Sequence, residues 1–141
     1  MDIVEIDTFT DALLQALNEL LPQLSPTAPA LNAAALRHVI AAADSHLLMA
    51  RQGAVYCGSA TLVIVVIPTG QRARIEDVVV SRSMRGRGIG RALVGRALAL
   101  AREQGADSVE LTSHPSRAAA NALYRKMGFV QRETTVYQYR L

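Results

Sequence analysis

Val78-Val79-Val80-Ser81-Arg82-Ser83-Met84-Arg85-Gly86-Arg87-Gly88-Ile89-Gly90-Arg91-Ala92-Leu93 runs from an apolar strand, through a basic glycine-rich turn, into a helix. Val78 to Val80 are β-branched and suit a buried strand. Gly86, Gly88 and Gly90 remove side chains where the backbone must turn sharply or approach a ligand. From Ile89 onward, Ile89, Ala92, Leu93, Ala97, Leu100 and Ala101 form one broad apolar face at helical spacing. A helix that opens in a glycine turn presents unpaired N–H groups and the positive end of its dipole, which suits a phosphate or pyrophosphate. Two common phosphate loops are excluded by spacing. A G-x-G-x-x-G pattern started at Gly86 would need glycine where Arg91 stands, and no Gly-Lys pair exists for G-x-x-x-x-G-K-[ST]. What remains is Arg85-x-x-Gly88-x-Gly90 directly after a valine-rich strand.

The rest of the composition fits a single domain, 1–141, around one core. The chain has 141 residues, half of them hydrophobic and only 19% charged, which excludes a disordered chain. Its net charge of +3 is modest, and Arg82, Arg85, Arg87, Arg91 and Arg96 crowd around the glycine turn. Aromatics are scarce at 4%, and the basic stripe coincides with the glycine loop. A phosphate-bearing small molecule is therefore expected rather than nucleic acid. Cys57, the only cysteine, lies in an apolar strand and reads as a small buried hydrophobe. The longest apolar run, Leu62 to Ile67, is too short to span a bilayer, and the acidic start (Asp2, Glu5, Asp7) does not look like a secretory signal. No membrane partner and a cytoplasmic location are the expectations.

Taken in order, Asp2 to Ile6 reads as a short strand, and Thr8 or Thr10 caps a helix that Pro22 ends. After the Ser25–Pro29 loop, a second helix runs from Ala30 or Leu31 to about Ala43. His46–Ala50, Val55–Ile67 and Arg72–Val80 read as three strands linked by hairpins, with Gly58 marking a bulge or a close approach. Alternation breaks at Glu76-Asp77, where a β-bulge would re-aim one acid. The glycine loop and its helix occupy Arg85 to about Gln104. Ser108–Thr112 is a strand, Ser116 caps a helix over Arg117–Met127, and Phe129–Val130 with Thr134–Tyr139 forms a closing hairpin. The fold class is α+β, in the order β-α-α-β-β-β-α-β-α-β-β. Hairpin-linked strands pair antiparallel, and the crossover from Val80 to Val109 gives one parallel pair. The expectation is a mixed, mostly antiparallel twisted sheet of six to seven strands, with about four helices on both faces.

A second motif narrows the reading. In Asn121-Ala122-Leu123-Tyr124-Arg125-Lys126-Met127-Gly128-Phe129, Asn121 and Tyr124 share a helix face. The Ala118-Ala119-Ala120 run before them keeps that helix slim, so another group can pack close. Arg85-x-x-Gly88-x-Gly90 resembles the [QR]-x-x-G-x-[GA] loop of the GNAT N-acetyltransferase superfamily. Asn121, Tyr124, Gly128 and Phe129 resemble that superfamily's N-x-x-[LF]-Y-x-x-x-G-F segment, in the right order and separated by a strand. The resemblance covers roughly Arg74 to Phe129.

The resemblance implies the GNAT fold and acetyl-CoA as cosubstrate, with no metal. Backbone groups of Val78, Val79 and Val80 would pair with the pantetheine arm, in a gap between Val80 and Val109. Backbone N–H groups of Arg85, Gly86, Arg87, Gly88, Ile89, Gly90 and Arg91 would cradle the pyrophosphate, with Arg85 or Arg87 reaching phosphates. Asn121 would hydrogen-bond the arm, and Tyr124 would sit near the sulfur as the acid that protonates the leaving thiolate. Glu76 is the candidate base and Asp77 the alternative. The competing reading makes both acids structural partners of Arg72, Arg74 or the Ser113–Arg117 turn. His114 is a candidate substrate-site residue or a plain turn histidine, while His38 and His46 read as structural.

Transfer from acetyl-CoA to a primary amine of a small molecule, by direct attack in a ternary complex, is the expected activity. Ile75 to Val80 also looks like the matching strand of glucosamine-phosphate N-acetyltransferases. Arg72, Arg74, Arg117 and Arg132 would favour an anionic acceptor, and Glu76 with Asp77 a cationic amine. A protein lysine or N-terminal acetyltransferase and a non-catalytic acetyl-CoA-binding regulatory module are the alternatives. Many relatives dimerise through sheet edges, so a homodimer is compatible with the reading.

Overall fold

Alternation along the strands sorts side chains onto two faces of the sheet. In β2 (Ser45–Gln52), Leu47 and Met49 belong to one apolar cluster and Leu48 and Ala50 to the other, and all four are buried. A strand apolar on both faces needs helices on both. The computed structural model describes residues 1–141. Its other elements are β1 (Asp2–Glu5), α1 (Asp11–Leu24), α2 (Ala33–Ala41), β3 (Val55–Ile67), β4 (Gly70–Val80), a 3-10 turn (Arg82–Met84), α3 (Ile89–Glu103), β5 (Ser108–Glu110) and α4 (Ala118–Lys126). The sheet has five strands in the order β1-β2-β3-β4-β5, antiparallel except for the parallel pair β4–β5. Leu13, Leu17 and Leu20 of α1 and Leu36 of α2 pack on Leu47, Met49 and Val79. On the opposite face, Leu93, Val94, Ala97 and Leu100 of α3 and Tyr124 of α4 pack on Leu48, Leu62, Ala73 and Ile75. No helix is long and apolar enough to cross a membrane.

Several boundaries depart from the sequence reading. Thr10 caps α1, with Leu13 N donating to its Oγ1 at 3.1 Å. The helix, however, continues past Pro22 to Leu24. Proline in a last turn loses one backbone bond without blocking the residues after it, and Ser25 N still reaches Leu21 O at 3.0 Å. The second helix starts later than expected. Asn18 clamps the Leu31 backbone on both sides, at 2.8 and 2.9 Å, and Asn32 caps α2 through Ala35 N at 2.8 Å. Arg117, with no side-chain capping bond, stands where Ser116 was expected to cap α4.

The largest correction concerns the strand count. Six to seven strands were expected and five form, because Phe129–Val130 and Thr134–Tyr139 pair with nothing. Phe129 to Leu141 contains no glycine, proline, asparagine or aspartate to close a tight hairpin.

Two bulges shape the strands beside the site. Ala50 faces Gly58 and Arg51 faces Tyr56, which leaves Cys57 as the extra residue of β3. On β4, Val79 faces Ser59 and Glu76 faces Thr61, so β4 carries the extra residue at Asp77-Val78. Asp77 has φ 54° and is the only non-glycine residue with positive φ, as the break in alternation at Glu76-Asp77 foretold. Gly58 is a close approach as well. A Cβ there would lie 3.0 Å from Leu93 Cδ1 and 3.1 Å from the Val79 carbonyl oxygen. Gly58→Ala is therefore expected to destabilise the chain by about 1–3 kcal/mol, the usual cost of overpacking. Urea unfolding reads this, and an unchanged midpoint would mean that α3 yields freely at this contact.

Candidate active site

β4 and β5 pair only at Arg72–Ser108, Ala73–Val109 and Arg74–Glu110. Beyond that point Ile75 to Val80 has no partner on β5, and the strands part. Two adjoining cavities occupy the opening. The larger, about 560 Å³, is bounded by Val78 and Val80, by the glycine loop, and by Arg117, Ala118, Ala119, Ala120 and Leu123 of the α4 region. The smaller, about 140 Å³, is bounded by Ile75, Glu76, Asp77, Leu111 and Thr112. Leu24, Val78, Arg117 and Tyr124 line both, so the cavities meet at Tyr124.

The glycine loop builds one end of the larger cavity. Gly86 and Gly88 have φ 77° and 80°, a region that side-chain-bearing residues avoid. Gly88 caps α3 without any side-chain bond, and the first turn closes with Ala92 N donating to Gly88 O at 3.0 Å. The N–H groups of Ile89, Gly90 and Arg91 therefore precede the first intrahelical bond and lack helical partners. Arg85, Gly86, Gly88, Ile89, Gly90 and Arg91 all line the cavity. Unpaired N–H groups, a dipole end and two arginines form an anion cradle, while the alanine wall opposite leaves a slot for a slender chain. These features fit a phosphate-bearing molecule with a slender chain.

The other end carries the titratable groups. Tyr124 is buried at 7% exposure, and its ring packs edge-on to Phe129 with centroids 5.8 Å apart. Burial raises its pKa above the ordinary phenol value, and the nearby Arg117 charge opposes that rise. Its hydroxyl therefore keeps its proton at neutral pH. Glu76 accepts from Arg74 Nε at 3.0 Å. Asp77 is exposed as a residue, yet its carboxyl is partly shielded from water. That desolvation, followed by the Glu76 charge, raises its pKa.

Comparison with known proteins identifies the family. The profile of the Acetyltransferase (GNAT) family matches residues 10–129. The chain belongs to this family. Streptothricin acetyltransferase of Streptomyces lavendulae is 46% identical over 59 residues, covering 42% of this chain and 31% of that protein. An N-alpha-acetyltransferase of Arabidopsis thaliana is 40% identical over 68 residues, covering 48% of this chain and 36% of its own length. The matched stretch thus spans only about a third of these relatives. A putative acetyltransferase from Agrobacterium tumefaciens str. C58 superposes with TM-score 0.87 at 29% identity, covering all of both chains.

Within this GNAT chain, the structure gathers most of the sequence-derived site residues and leaves others apart. Val78, Val80, Glu76, Tyr124 and the loop residues other than Arg87 line the cavities. Arg87 is exposed and outside both linings, and the Val79 side chain is buried against α1 and α2. Asn121 also lies outside both linings, and its Nδ2 donates to His114 O at 3.0 Å. His114 Nδ1 accepts from Ser116 N at 3.1 Å, so ring and amide together brace the turn before α4. Cys57 is buried, its pKa raised by that burial, and its Sγ lies 3.5 Å from Ala50 O.

Sequence reasoning missed Gln23, Leu24, Met84, Leu111 and Thr112. Gln23 and Leu24 belong to the helical turn beyond Pro22, and Gln23 Oε1 accepts from Arg82 N at 2.8 Å. Reading Pro22 as a tolerated last-turn residue would have found both.

The Asp77 pKa sets a signed expectation. A carboxyl whose pKa is raised on folding contributes most below its unfolded value, near 3.9, and that contribution is lost as pH rises through the folded value. Asparagine tolerates positive φ as aspartate does, so Asp77→Asn isolates the charge. The variant is expected to melt above the parent at pH 7, with the difference shrinking toward pH 4. Thermal melts across that range check it, and a constant or inverted difference would contradict the desolvation account.

Proposed function

We propose that this GNAT chain is an acetyl-CoA-dependent N-acetyltransferase for a primary amine of a small molecule, with both substrates bound at once. The observation that carries the reading is the meeting of two cavities at Tyr124. The larger takes acetyl-CoA, with the loop N–H groups from Arg85 to Arg91 on its diphosphate and the freed edge of Val78 to Val80 along its arm, as an added strand would lie. The smaller takes the amine, and its size favours a small acceptor end. Asn121 supports the cofactor side by holding the turn that carries Arg117. A homodimer joined through sheet edges fits the unpaired outer edge of β5.

Acetyl-CoA supplies an activated carbonyl and a thiolate leaving group. An alkylamine of pKa about 10.4 is neutral in only about one molecule in 10³ at pH 7. Glu76, directly or through a water, takes a proton from the nitrogen, and Asp77 is the neighbour able to replace it. Desolvation raises the Asp77 pKa, which favours proton uptake there. The nitrogen–carbon bond forms as the carbon–sulfur bond breaks, and Tyr124 gives its hydroxyl proton to the sulfur. The Val78 backbone at the bulge would stabilise the carbonyl oxygen as it gains charge. Streptothricin acetyltransferase, by name a small-molecule enzyme, supports the acceptor class. The N-alpha-acetyltransferase similarity keeps peptide N-termini as the second reading.

Thiol release from acetyl-CoA against a panel of amino acids, polyamines, amino sugars, aminoglycosides and short peptides tests this. Small-amine-dependent release that falls about 10²-fold or more in Tyr124→Phe is expected for a positioned acid. Release with peptides alone would favour the second reading. Silence across the panel with acetyl-CoA binding intact would favour a binding module.

The cradle is tested separately. Gly88→Val disturbs the left-handed cap that aims the N–H groups. Losing one charge-assisted bond of about 1.5–3 kcal/mol weakens acetyl-CoA binding roughly 10–100-fold. Calorimetric titration measures it, and unchanged affinity would place the diphosphate elsewhere.

A further inference from the structure

Arg117 is an arginine without an acid of its own. The ion pairs of the chain are His46–Glu5, Arg74–Glu76, Arg96–Glu103 and Arg132–Glu110, and Arg117 is in none of them. Its side chain does not cap α4. Its backbone alone is engaged, the N–H donating to His114 O and the carbonyl accepting from Asn121 N, both at 3.0 Å. Yet Arg117 lines the smaller cavity, and its charge is felt at Tyr124.

Asp77 is its counterpart. It lines the same cavity, belongs to no ion pair, and is fixed by the bulge at φ 54°. Glu76, the third charged group of that lining, is already held by Arg74 at 3.0 Å. The smaller cavity thus presents one uncommitted cation and one uncommitted acid, which face the same space without pairing with each other. A molecule that carries both charges can bridge them.

Arg117 lines the larger cavity too. There, however, Arg85, Arg91 and the unpaired N–H groups of α3 already serve an anion. In the smaller cavity Arg117 is the only cation. At about 140 Å³ that cavity is well below the roughly 300–1,000 Å³ of pockets for drug-sized ligands, so its occupant is small.

We propose that the acceptor is a small zwitterion, a primary amine a few bonds from a carboxylate or phosphate, with Arg117 on its oxyanion and Asp77 facing its amine. The guanidinium fork matches either oxyanion with two parallel bonds. A neutral amine lacks that grip, and a diamine brings a second cation against Arg117 and is repelled. The proposal rests on the acetyltransferase reading and names the acceptor class within it.

Thiol release from acetyl-CoA is measured with two matched pairs, β-alanine beside β-alaninamide and phosphoethanolamine beside ethanolamine, and with diaminopropane. A nearby anion makes an amine more basic and so less often neutral, and a preference for the zwitterion therefore runs against basicity. The chain is expected to favour the anionic member of at least one pair by roughly 10–100-fold in kcat/KM, as one charge-assisted bond would give. The responding pair tells carboxylate from phosphate. Arg117→Ala and Arg117→Gln each bring the ratio close to one, and if one fails to fold the other decides. Arg117→Lys keeps the charge, loses the fork and restores part of the ratio. Calorimetric titration of the same variants with acetyl-CoA separates a cofactor contact from an acceptor contact. Neutral amines or diaminopropane used as well as the zwitterions would overturn the proposal and leave the acetyltransferase reading standing. A preference that survives loss of the Arg117 charge, or a loss confined to acetyl-CoA affinity, would overturn the place given to Arg117. No release with any amine would overturn both readings together.

Discussion

Backbone pairing between β4 and β5 stops after Arg74 and Glu110, although β4 continues to Val80. Polar backbone that leaves a sheet must find water or a ligand, so the opening persists only if closing it costs more than it gains. Closure would add a few hydrogen bonds, each worth about 0.5–1.5 kcal/mol net. Against that stands Tyr124, which lines the opening and is packed on Phe129. Burying a tyrosine removes about 150–250 Å² from water, an upper estimate of about 4–6 kcal/mol. The extra residue at Asp77-Val78 also turns β4 out of line, so its register no longer matches a straight neighbour. Packing and the bulge together hold the cleft open.

Charge is divided along that cleft. Arg85 and Arg91 stand with the unpaired N–H groups at one end, and Glu76 and Asp77 at the other. The two ends thereby attract ions of opposite sign, and both fields fade with salt. Tyr124 sits between the two, desolvated enough to stay protonated. Arg74, through its bond to Glu76, keeps one acid anchored while Asp77 projects from the bulge. The same pair of adjacent acids thus has one member in an ion pair and one destabilised as an anion.

The chain itself determined everything that depends on local pattern. The strand–turn–helix from Val78 to Leu93, the left-handed glycines of its turn, the break in alternation at Glu76-Asp77 and the slim alanine run are consequences of side-chain size, branching and φ, which act over a few residues. Tertiary structure decided what depends on partners far away in sequence. The turn beyond Pro22 was tied to Arg82, and Asn121 was drawn to the His114 carbonyl rather than to the cleft. The segment after Phe129 has every local property of a strand. A strand forms only where another strand accepts its backbone bonds, and five strands close without it.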